Sequence, residues 1–281
     1  MFGLTTKKLP QSRLEIKGAV GAEEFKSYRG KAVAGLSAKL KLPGFRPGHV
    51  PEKVLVEKLG EGAILEEMAE LALAQAYPEI LREHKIDALD RPEIKITKMA
   101  MGDELAFTIE TDVYPEVTLP DYEKLVKTIA KEEVKDDASE EDKWRAKDKY
   151  RLALIKTITT AMTVELPRSL VQGELEKMLA ELKASIEHAG FPFHDYLKQI
   201  NKTEADLRGA WEEQAKERVK FGLFTNALAG QEQLYPDEIK IKTGVEELKK
   251  HYPEVAEARL RTYVASSLAT TAVWQKLENI S

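Results

Sequence analysis

From Trp144 to the end of the chain apolar residues recur only at helical spacing, whereas three earlier stretches alternate apolar and polar residue by residue. This change of period limits the fold more than any other feature, because a helix repeats every 3.6 residues and a strand every 2, and neither pattern serves the other. The helical series include Leu170, Val171, Leu175, Met178, Leu179, Leu182 and Ile186, and later Leu207, Trp211, Ala215, Val219, Leu223 and Leu228. Pro167, Gly190, Pro192, Pro236 and Pro253 mark the joints between long helices. Residues 144–281 are therefore predicted to form an all-α domain.

The first part of the chain mixes both periods. Arg13 to Val20 reads as a strand broken by Gly21, and Phe25, Tyr28, Ala32, Val33, Leu36 and Leu40 predict a helix that Pro43-Gly44 stops. Pro51 suits the opening of a longer helix carrying Ile64, Met68, Leu71, Ala72, Gln75 and Ile80. Ile94-Lys95-Ile96 and Leu105 to Val113 alternate as two strands, with Met101-Gly102-Asp103-Glu104 as their turn. About three strands covered on one face by helices make an α+β domain over residues 1–115. Residues 116–143 are predicted to be a linker or, towards their end, a solvated helix start, since Pro115 and Pro120 interrupt any helix and Glu132, Glu133, Asp136, Asp137, Glu140, Glu141 and Asp142 crowd charge together.

Composition removes several classes of function. Cysteine is absent, which eliminates disulfides, thiolate metal sites and cysteine nucleophiles, and the five histidines show no zinc-ligand spacing. No stretch approaches the roughly 18 apolar residues that cross a bilayer, and the first 18 residues lack a signal-peptide core, so a cytoplasmic protein without metal or cofactor is expected. Gly60-Glu61-Gly62 is a lone G-x-G without the strand and third glycine of a dinucleotide loop. Carboxylate pairs such as Glu66 and Glu70 read as solvated helix faces, and no serine stands in a nucleophile motif. No catalytic residue is expected. The charge is segregated: residues 1–60 hold 12 Lys and Arg against 5 Asp and Glu, while residues 61–142 hold 9 against 23. A basic leading segment suits an anionic partner or a solvated face.

Leu42 to Pro51 carries the most pointed motif. Two proline-glycine breaks bracket Phe45-Arg46, so a ring and a guanidinium sit at the tip of a short loop between helices. An exposed aromatic beside an arginine is the composition of an interface anchor; folded back, the same ring would staple its own helices.

Gly44-Phe45-Arg46-Pro47-Gly48-His49-Val50-Pro51 resembles the ribosome-docking signature of the trigger factor family, G-F-R-x-G-x-x-P. Val113 to Tyr122 resembles the family's exit from the docking domain, and Val164 to Val171, Glu174-Leu175 and Glu213 to Val219 resemble its helical chaperone domain. The resemblance implies a ribosome-binding α+β domain, an all-α chaperone domain with arm-like helices, and ATP-independent shielding of nascent or unfolded chains. It implies docking through Gly44, Phe45, Arg46, Pro47, Gly48, His49 and Pro51, with His49 where the family commonly has lysine, and it admits a homodimer away from the ribosome. Client contacts are assigned to Phe191, Phe193, Tyr196, Phe221, Phe224 and Trp274, although aromatics at helical spacing also serve as core. Typical members carry an FKBP-like prolyl isomerase between the two domains; only Lys127 to Lys143 stands there, so no isomerase is expected. An RNA- or ribosome-binding module using the basic segment, or a scaffold without chaperone activity, is the alternative.

Overall fold

The computed structural model describes residues 3–40, 43, 45–130 and 139–280. The chain divides into two compact units, residues 1–114 with 167–169, and residues 115–166 with 170–281.

In the first unit strands β1 (Thr5–Leu9), β2 (Arg13–Val20), β3 (Glu93–Lys98) and β4 (Leu105–Asp112) form an antiparallel sheet in the order β1-β2-β4-β3. Alternation works as expected along β4, where Leu105, Phe107, Ile109 and Thr111 are buried and Ala106, Thr108, Glu110 and Asp112 face outward. In register, Ile16 lies opposite Ile109 and Val20 opposite Leu105, so one sheet face is continuous. Helices α1 (Ala22–Ser27), α2 (Arg29–Lys39) and α3 (Glu52–Glu83) cover it, placing Phe25, Ala32, Ile64, Met68, Ala72 and Ile80 in the same core. Two details differ from expectation. A fourth strand, β1, is present, and the single helix predicted after Gly21 is split at Tyr28. The outer sheet face is a lattice of charges in which Arg13 and Lys95 both pair with Glu110.

The second unit holds α4 (Tyr122–Lys127), α5 (Glu140–Ala161), α6 (Arg168–His188), α7 (Phe193–Gln199), α8 (Glu204–Gln231), α9 (Glu238–His251) and α10 (Glu257–Glu278). Polar caps set several starts: the Ser139 hydroxyl accepts from the Asp142 N–H, Asp237 accepts from the Ile239 N–H, and Thr203 with Asp206 closes a capping box. Glu140, Glu141 and Asp142 occupy the first turn of α5, where carboxylates complement the positive helix end. Residues 131–138, the rest of the acidic run, lie outside the described residues. The earlier half of the expected linker is structured. Val117, Leu119, Tyr122, Val126 and Ile129 pack with α5, α8 and α10, because their apolar area outweighs the charge that follows them.

This unit buries its apolar residues in four separate clusters among the described residues. The largest joins α4, α5, α8 and α10; a second joins Val171, Leu175 and Met178 of α6 to Ala215 of α8; a third joins Leu179, Phe193 and Leu207. The fourth belongs to the α9–α10 hairpin, where a Cβ on Gly244 would stand 2.7 Å from Val264, so only glycine admits this approach. Small cores strung along long helices leave much side-chain surface outside them.

Candidate functional site

The loop between α2 and α3 is built by its own sequence. Pro47 and Gly48 take the central places of a turn whose ends close when the Arg46 carbonyl accepts from the His49 N–H at 3.0 Å. Gly48 has φ 84°, the left-handed value that a proline-glycine type II turn requires at its third residue. Ser37, buried on α2, holds this turn twice: its carbonyl accepts from the Gly48 N–H at 2.9 Å and its hydroxyl accepts from the Val50 N–H at 2.8 Å. Beyond the turn, Val50 and Leu55 are buried and Pro51 precedes the first residue of α3.

The tip thus projects from a pinned base. Phe45 is 39% exposed, which places the ring at the surface rather than folded into the helices as a staple. Arg46, Pro47, Gly48, His49 and Pro51 are exposed, and among the described residues neither Arg46 nor His49 has an acidic partner. Gly44 lies outside the described residues. A ring and an uncompensated guanidinium within two residues can fill an apolar recess and pair with a carboxylate or phosphate at once.

The six aromatic candidates in the helical unit separate by depth. Phe191 is 63% exposed. Phe193 is buried and stacks on Tyr196, ring centres 6.3 Å apart. Phe224 is fully buried, with Tyr122 edge-on at 6.0 Å and Phe221 at 5.9 Å. Trp274 is held between Phe221 at 4.9 Å and the Arg151 guanidinium at 4.8 Å. Phe193, Phe221, Phe224 and the half-buried Tyr196 and Trp274 are therefore core or core-edge residues. Burial also pushes the Tyr122 phenol up to about 12, helped by its bond to Glu232, so it stays a neutral donor throughout the physiological range.

Two family models match. One, described as bacterial trigger factor protein, covers residues 3–143, and the other, bacterial trigger factor protein C-terminus, covers residues 129–277. The chain belongs to the trigger factor family. A curated trigger factor from Rhodococcus opacus is 42% identical over 49% of this chain and 30% of its own length. One from Frankia casuarinae is 38% identical over 52% of this chain and, again, 30% of its own length. The chain thus covers about 30% of the curated relatives it matches. A solved structure described as "Promiscuous Substrate Recognition in Folding and Assembly Activities of the Trigger Factor Chaperone" aligns over 99% of this chain and 100% of its own, with TM-score 0.59 and 14% identity, a likeness of fold.

In the helical unit the exposed apolar residues that sequence spacing missed are Trp144, Leu152, Tyr235, Ile239, Tyr252 and Tyr263. Trp144, Ile239 and Tyr252 stand among polar neighbours, which was their signal; Leu152, Tyr235 and Tyr263 adjoin apolar residues and had none. Among the described residues no helix is long and apolar enough to cross a membrane, and no group of His, Asp and Glu could hold a metal ion. Ser37 was missed as well, because a small polar residue next to an apolar stripe looks like solvent surface. Replacing it with alanine strips the buried Val50 N–H of its acceptor, and a buried donor without a partner costs about 1–3 kcal/mol. All three tryptophans lie in the second unit. The expected loss in Ser37→Ala is therefore read by amide exchange at Gly48 and Val50, with tryptophan fluorescence unchanged.

Proposed function

We propose that this chain is an ATP-independent chaperone of the cytoplasm that docks on the ribosome near the polypeptide exit and shields nascent or unfolded chains. The observation that carries the reading is the exposed Phe45-Arg46 tip held on a loop whose base Ser37 pins. An anchor fixed in advance loses little freedom on binding, which is where affinity is usually lost. Gly44, Phe45, Arg46, Pro47, Gly48, His49 and Pro51 form the docking loop, with Phe45 and Arg46 its anchors.

Shielding is assigned to residues 144–281. Phe191, Trp144, Leu152, Tyr235, Ile239, Tyr252 and Tyr263 lie exposed and dispersed along this helical part. Dispersed apolar side chains suit weak binding of many unfolded sequences better than one deep pocket does. Isomerase activity is not part of the reading: the two family matches overlap over residues 129–143, where a separate isomerase would otherwise stand.

The test is a pair of measurements on the full chain, cosedimentation with ribosomes and suppression of aggregation of a chemically unfolded client without nucleotide. Both are expected to be positive, with no acceleration of a proline-limited refolding reaction. Ribosome binding that falls steeply with salt and survives loss of Phe45 would favour an RNA-binding module instead; binding without client protection would favour a scaffold.

A further inference from the structure

Helix α3 is broken near its start. Gly60 has φ 82° and ψ 160°, a region that glycine occupies almost alone, so residues 52–59 form a short helical piece that leaves the axis of residues 61–83. This piece carries the docking loop on its N-terminal side. A single covalent joint of such freedom does not define an angle; the piece's own contacts set it, namely the burial of Leu55, the packing of Val56 against the core and a set of polar bonds.

Arg29, the first residue of α2, spans the break. Its Nε and Nη2 reach Glu52 Oε1 at 2.8 and 2.7 Å, and Glu52 is the first residue of the short piece. Its Nη2 also donates to Glu61 Oε2 at 3.2 Å and its Nη1 to Glu61 Oε1, and Glu61 is the first residue beyond the break. Nη1 further donates to Met101 Sδ at 3.4 Å, in the turn between β3 and β4. The Arg29 side chain is 26% exposed, so the fork is partly withdrawn from water, and its bonds hold the Glu61 carboxyl below the usual carboxylate range. An exposed lysine-carboxylate pair contributes little. A planar fork that joins two carboxylates on opposite sides of a glycine break differs in kind, because its geometry fixes direction.

We infer that Arg29 is a positioning residue for docking: by bridging Glu52 and Glu61 across Gly60 it fixes the angle at which residues 52–59 present the Phe45-Arg46 loop. The inference rests on the docking reading above. Ser37 ties the loop to α2 and Arg29 ties the following piece to the body of α3, so the loop is suspended between two fixed points. If loss of the bridge lowers the fraction of correctly angled molecules to about one in ten, apparent affinity falls about tenfold.

The experiment compares the full-length chain with Arg29→Gln and Arg29→Lys by amide exchange, thermal unfolding and ribosome cosedimentation at one salt concentration. Arg29→Gln is expected to exchange about tenfold faster over residues 52–59, with residues 64–80 still protected, and to bind ribosomes about tenfold more weakly. Arg29→Lys keeps the charge but not the fork, and is expected to fall short of the wild type in both readouts. Wild-type exchange and binding in either variant overturns the inference. So does loss of protection throughout the first unit, which would make Arg29 an ordinary stabilising residue. A wild-type chain that does not sediment with ribosomes overturns the docking reading itself, and the positioning role with it.

Discussion

Changing Phe45, Arg46 and Pro47 together to alanine is expected to abolish ribosome cosedimentation while leaving the fold intact. The three side chains are exposed at the tip of the loop, so none contributes to the core formed by Ile16, Phe25, Met68 and Phe107. Exposed substitutions away from caps and cores change stability by only about 0.5 kcal/mol. Binding is another matter. Aromatic and arginine anchors at the centre of an interface each account for roughly 2 kcal/mol or more, and two together correspond to about a thousandfold in affinity. Pro47 adds a conformational share, since it presets the first central position of the turn that Gly48 completes. Circular dichroism and tryptophan fluorescence should match the wild type. A folded triple variant that still sediments with ribosomes would remove these residues from docking.

How much of this could be read in advance varies by element and for definite reasons. The turn between α2 and α3 was legible because proline and glycine dictate backbone angles locally, and Pro47-Gly48 obeys them. Strand β1 was not: Thr5–Leu9 is an edge strand with both faces largely exposed, so its pairing with β2 rests on backbone hydrogen bonds and leaves no alternation of apolar residues. The Gly60 break was equally hidden, because a glycine inside a helical series reads only as a weak helix former, and Gly60-Glu61-Gly62 suggested at most a phosphate loop. Residues 116–130 were misjudged through their neighbours. Tyr122 and Val126 are core residues spaced by a single helical turn, too short a pattern to stand out before so dense a run of charge. The depth of the aromatic candidates was the least legible, since period assigns a face of a helix but not its depth. Phe191 and Phe193 are two residues apart, one exposed and the other buried.

That difference in depth predicts opposite consequences for two chemically identical substitutions. Phe224→Ala should destabilise the helical unit by roughly 3–5 kcal/mol, because Phe224 is fully buried and its loss opens a cavity between Tyr122 and Phe221 that packed helices only partly close. Phe191→Ala removes the same ring from a position 63% exposed and should leave stability within about 0.5 kcal/mol. Their effects on client protection should separate in the reverse sense. At a temperature where both variants are folded, Phe191→Ala should protect an unfolded client less well, since it deletes apolar surface offered to the client, whereas Phe224→Ala should protect nearly as the wild type does until its unit unfolds. Because Trp144, Trp211 and Trp274 all lie in the helical unit, the urea midpoint of tryptophan fluorescence reads the first half directly. An unchanged midpoint in Phe224→Ala would remove that ring from the core. Full protection by a folded Phe191→Ala would remove Phe191 from the client surface, leaving Trp144, Tyr235, Ile239 and Tyr263 as the residues to test next.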